Sequence, residues 1–139
     1  MKRYLITILL FSLMPFVAGV AGQPFRGSFV SKDLGLKLVI DLYEEIVEVP
    51  GMEMFGPLNG YIMGAGLYRT WYISKIRECG DDKAIVHFSN DLGSETQPVE
   101  LTIKGDSLIR FHEIEGAVMK KAVGKKLVKM TSDFEMKRQ

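Results

Sequence analysis

The chain predicts an all-β domain: an antiparallel meander of about eight or nine short strands closed as a barrel, with a β-sandwich as the alternative closure. Three observations carry this. Helical periodicity is almost absent beyond residue 22. Turn signals recur about every eight to twelve residues. Val99, Leu101 and Ile103 alternate with Glu100, Thr102 and Lys104, the pattern of a strand with one buried and one wet face. A closed barrel has no free edges, which matters for a domain without disulfides.

Taken in order, Leu36 to Ile40 reads as a strand and Ile46 to Val49 as another, ended by Pro50-Gly51. Between them Asp41 to Glu45 fits a hairpin or one helical turn, since Asp41 with Glu44 is a capping pattern. Thr70 to Glu78 is β-rich, and Gly80-Asp81-Asp82 supplies the turn into Lys83 to Ser89. Asn90 to Pro98 is polar and reads as a loop before the Val99 strand. Gly105-Asp106 turns the chain into Ser107 to Ile114, Gly116 into Ala117 to Ala122, and Val123-Gly124 into Lys125 to Thr131. Residues 133–139 are mostly charged and read as a frayed tail.

Residues 1–22 read as a signal peptide, with a retained membrane anchor as the alternative. Lys2 and Arg3 precede an uncharged, mostly apolar run from Tyr4 to Val20, and the exit offers Gly19, Ala21 and Gly22 before Gln23. A cleaved leader places the product in the periplasm or outside the cell, with no transmembrane span in the mature chain. The remaining 117 residues form a single β-barrel domain over 23–132, followed by the tail. A chain of that size buries roughly two thirds of its unfolded surface, enough for a core. Net charge is +1 from 18 basic and 17 acidic residues; without Lys2 and Arg3 it is 16 against 17, or −1. No basic excess argues for nucleic acid. Cys79 is the single cysteine, so no internal disulfide forms, and it reads as a small apolar filler beside a turn.

Phe25-Arg26-Gly27-Ser28-Phe29 opens the mature chain, and the meander behind it resembles a lipocalin-like (calycin) barrel. In that group a Gly-x-Trp begins the first strand; Gly27-Ser28-Phe29 takes that position here, with Phe in place of Trp. The group's arginine on the last strand has no counterpart in Lys125 to Thr131. The resemblance covers most of residues 25–131 and implies a cup with a ligand cavity or a partner-binding mouth.

Two regions stand out as sites. Pro50 to Tyr68 places five glycines among Met52, Met54, Phe55, Tyr61, Met63 and Tyr68, with Trp71 just beyond. Such a stretch makes a flexible apolar lip for a small hydrophobic ligand, or a sharply bent strand pair with Asn59-Gly60 as a tight turn. Lys120, Lys121, Lys125, Lys126 and Lys129 form a basic patch on a hairpin around Val123-Gly124. It suits an anionic glycan, a lipid headgroup or an acidic protein, and lysines also guard exposed strands against edge pairing. No aromatic interleaving accompanies them, which argues against nucleic acid. His87 and His112 lack metal-motif spacing, Ser74, His87 and Asp91 carry no nucleophile signature, and no cofactor motif is present. The expectation is an exported, non-enzymatic barrel that binds a small apolar or amphipathic ligand at its mouth. The alternatives are a protein-interaction or inhibitor module acting through the basic hairpin, or a structural envelope protein.

Overall fold

The computed structural model describes residues 22–139; apart from Gly22, the leader expected over 1–22 lies outside them. Among the described residues there are ten strands and no α-helix. They are β1 (Arg26–Ser31), β2 (Leu36–Asp41), β3 (Gly60–Met63), β4 (Trp71–Cys79), β5 (Lys83–Asn90), β6 (Thr96–Lys104), β7 (Leu108–Glu113), β8 (Lys120–Val123), β9 (Lys126–Lys129) and β10 (Asp133–Arg138). Eight of them close a barrel in the order β1-β10-β7-β6-β5-β4-β3-β2, every pair antiparallel, while β8 and β9 form a separate hairpin. The all-β meander and its closure as a barrel are therefore as the sequence predicts.

Period-two burial fills the centre. Phe29, Leu38, Ile62, Phe88, Leu101 and Phe111 are wholly buried, each contributing about 1.5–3 kcal/mol relative to exposure. The Phe111 and Phe134 rings stack at 4.8 Å, and Phe88 packs on Phe111 at 5.6 Å. Two register shifts in β4, between Ile73 and Lys75 and between Ile76 and Glu78, bend the wall as barrel closure requires.

The strand order sorts the connections to two ends. The turn over 32–35, the loops over 64–70 and 91–95 and a long arm over 114–132 gather at the mouth. The flap over 42–59 and the turns over 80–82 and 105–107 belong to the base. At the mouth, Gly66 lies so close to the 32–35 turn that a Cβ would run into the Leu34 carbonyl oxygen, and its N–H donates to Gly35 O at 3.1 Å.

Four expectations are corrected. The charged segment over 133–139 is no tail: Phe134 and Met136 point inward while Asp133, Glu135 and Lys137 point out, and β10 pairs with both β7 and β1. Charge on the wet face masks the period-two signal. Ile46 to Val49 is no strand but part of the flap, which one bridge, Val47 to Leu58, closes on itself. Asp41 stops β2 there, because its Oδ1 accepts the Tyr43 and Glu44 N–H groups at 3.0 and 2.9 Å. The polar loop ends at Glu95, since β6 begins at Thr96 and carries Gln97 into the core. Cys79 is exposed at the end of β4, where a filler would be covered.

Candidate functional site at the barrel mouth

The Met-rich lip does not assemble as one surface. Met52 is buried with Val49 and Tyr61 in a small second cluster, where the flap covers the outer wall carried by Val39, Met63 and Tyr72. Ile62, between Tyr61 and Met63, faces the barrel core instead, so alternation itself divides the stretch. Met54 and Phe55 stand on a helical turn at the edge of the flap, 89% and 63% exposed. Tyr68 and Trp71 alone among the lip residues reach the groove described next, while Met63 edges a wider, open recess of about 680 Å³ beside it.

That groove, about 280 Å³, lies between the 64–70 loop, the 91–95 loop and the arm. Its apolar lining is Tyr68, Trp71, Leu92, Val118 and Leu127, with Arg69, Glu95 and Lys120 at the rim. Each wall is held by identifiable bonds. The Tyr68 N–H donates to Lys120 O at 2.7 Å, tying loop to arm, and the Trp71 indole N–H donates to Tyr68 O at 3.2 Å. Arg69 adopts a positive φ of 70°, uncommon without glycine, and pairs with Asp91 at 3.2 Å. Asn90 Oδ1 accepts the Ser94 N–H at 2.9 Å and shapes the 91–95 loop.

The arm is pinned from below. Gln97 is wholly buried; its Oε1 accepts the Val118 N–H at 2.7 Å, and its Nε2 donates to Gly116 O at 2.8 Å and Ile114 O at 3.1 Å. Met119 and Met130, joined by a 3.1 Å backbone bond, then close the mouth of the core. Beyond them the hairpin leaves the barrel. Its register places Lys120, Lys129, Ala122 and Leu127 on one face, and Lys121, Val128, Val123 and Lys126 on the other. Lys120 and Leu127 turn their face toward the groove. The five lysines of the patch therefore spread over both faces and the turn, and among the described residues none pairs with a carboxylate within 4 Å.

Glu113, at the mouth end of β7, is 5% exposed, and burial pushes its carboxyl up to about 7. His87 and His112 stand on β5 and β7; His112 Nδ1 lies 3.5 Å from Asp133, and desolvation together with Arg77 and Lys75 holds His87 below its usual value. Among the described residues no three His, Cys, Asp or Glu side chains gather as a metal cluster, and no helix is long and apolar enough to cross a membrane.

At the base, Arg138 on β10 lays its guanidinium over the Phe29 ring at 4.5 Å. Its Nη1 and Nη2 donate to Arg26 O and Pro24 O, both at 2.8 Å, and Nε donates to Asp106 O at 3.2 Å. Sequence reasoning missed this arginine because it took Lys125 to Thr131 as the last strand. It also missed Leu92 and Gln97, which lie in a run too polar to read, and Val118 and Leu127, whose segments gave no sign that they leave the barrel wall to line the groove. Glu113 was legible in principle, next after Ile109 and Phe111 in the inward series of every second residue. Comparison of the chain with protein-family models, curated proteins and solved structures finds no match in any of the three.

Proposed function

We propose that the chain is an exported, non-enzymatic binding barrel of the calycin type, which holds a small amphipathic ligand at its mouth. The observation that carries this reading is the groove of Tyr68, Trp71, Leu92, Val118 and Leu127. It combines an apolar floor with a charged rim, close to the lower bound of ligand pockets in size. The barrel centre is occupied by large side chains, so the rim is a better place for cargo than the interior. The calycin part of the reading is supported by the Gly27-Ser28-Phe29 opening and by Arg138 packed across Phe29. The groove predicts that Leu92→Asp with Leu127→Asp, both exposed positions, lowers affinity for a hydrophobic dye at least fivefold while the far-ultraviolet circular dichroism stays that of the wild type. Met54→Ala with Phe55→Ala should leave dye binding unchanged. A folded groove variant that binds dye like the wild type would overturn the reading.

A second reading has its own observation: the β8-β9 hairpin presents both faces to solvent, with Val123, Leu127 and Val128 exposed among unpaired lysines. A two-stranded ribbon gains most of its stability from what it packs against. On this reading the hairpin docks an acidic protein, and reversing Lys120, Lys121, Lys125 and Lys126 to Glu abolishes co-purification of that partner from the host.

A further inference from the structure

The groove leaves one buried group at the mouth without a task. The Glu113 side chain points inward with no side-chain partner among the described residues for either carboxylate oxygen, and the Met119 N–H is the one backbone donor that bears on it. An unsatisfied carboxylate in an apolar setting is costly, and proteins retain few of them. Phe111 precedes it on the inward face of β7, and the Met119 backbone amide of the arm lies beside it. Lys129 of β9 is the charged side chain that bears on it, and it is exposed rather than paired. The other charged neighbours in the sheet face outward: His112 lies against Asp133, and Glu100 stands opposite His112.

Position links this group to the groove. Val118 and Lys120 line the groove, and Met119 between them is wholly buried, its amide beside the Glu113 carboxyl. A ligand head that moved Met119 aside would meet Glu113 directly. The rim selects no sign of charge, since Arg69 and Lys120 are balanced by Asp91 and Glu95. The selecting charge is therefore the deeper one.

We infer that Glu113 is the headgroup acceptor of the mouth, and that the ligand is a cationic amphiphile, a primary amine on an apolar tail. The inference rests on the ligand-binding reading above: the tail lies in the groove, the ammonium donates to the Glu113 carboxylate, and Met119 gives way. Because burial holds the empty carboxyl up to about 7, binding the ammonium releases a proton from it below that pH. Affinity for the amine then rises as pH goes from about 5.5 to 8, where an alkylamine is still protonated.

The test compares decylamine with decanol on the processed full chain, followed by Trp71 emission and by calorimetry, each below its aggregation threshold. Decylamine should bind at least tenfold more tightly than decanol at pH 8, with the ratio shrinking toward one at pH 5.5. Glu113→Gln should abolish the ratio and keep decanol binding. Equal binding of the two by the wild type at pH 8, or a Glu113→Gln protein that still prefers the amine, overturns the headgroup assignment and leaves the groove standing. Binding of neither compound overturns the groove reading as well. The wild-type pH profile is an independent readout should the variant not fold.

Discussion

A carboxyl that burial keeps protonated toward neutral pH ties the barrel's stability to pH. The folded Glu113 carboxyl titrates at about 7 against an ordinary 4.5. Below about 4.5 both folded and unfolded chains are protonated there, and the stability is fully present. As pH rises through about 7 it is lost, because the unfolded chain ionises first. The wild type should therefore unfold at lower urea at pH 8.5 than at pH 5.5. Glu113→Gln should remove about 2 kcal/mol of that difference, the part of the shift that lies above pH 5.5. Urea midpoints that match at both pH values in the wild type would contradict the assignment. Asp133 works in the other direction and at lower pH, since hydrogen bonding to Arg110 at 2.8 Å lowers its carboxyl. Its stability is present above the usual 3.8 and fades in acid, outside the window that reports on Glu113.

The arm over 114–132 owes its place to very few bonds. Gln97 supplies the polar contacts from below, and the Tyr68 N–H adds one from the side. Gln97→Ala removes the partner of the half-buried Val118 N–H and of two arm carbonyls, a loss of about 1 kcal/mol or more. Amide exchange at Val118 and Met130 should accelerate well before exchange at Phe88 or Leu101. Uniform acceleration across the barrel would mean that the arm is not a separate unit. The same element explains what the sequence concealed. Gln97 sits in the polar run Ser94 to Pro98, where a reader sees a loop, yet its register opposite Phe88 puts it on β6. By contrast Val99 to Lys104 was plain, because every second residue there is apolar and both neighbours are barrel strands.

For the whole molecule, the meander, its antiparallel pairing and its closure were legible from alternation and turn spacing. The way it closes was not. Phe134 and Met136 are the only apolar side chains in their segment, too few to outweigh the charges around them. The groove was half legible: Tyr68, Trp71 and Lys120 stood out by composition, whereas Leu92 and Leu127 come to it only through folding. Ending the chain at Ser132 removes β10 and leaves β1 and β7 each with a bare edge. The truncated protein should lose its β signal or sediment as aggregate; a soluble monomer with native circular dichroism would show that β10 is dispensable.

The seam between β1 and β10 also sets the order of events in folding. Phe29 finds its partner only when Arg138 has been made, near the far end of the chain. Neighbouring ribbons zip early and locally, but the ring waits for the most distant pairing it contains, which slows the final step. Until then two sticky flanks are open to any other strand, and a cell making this protein in quantity has a reason to keep unfinished copies apart.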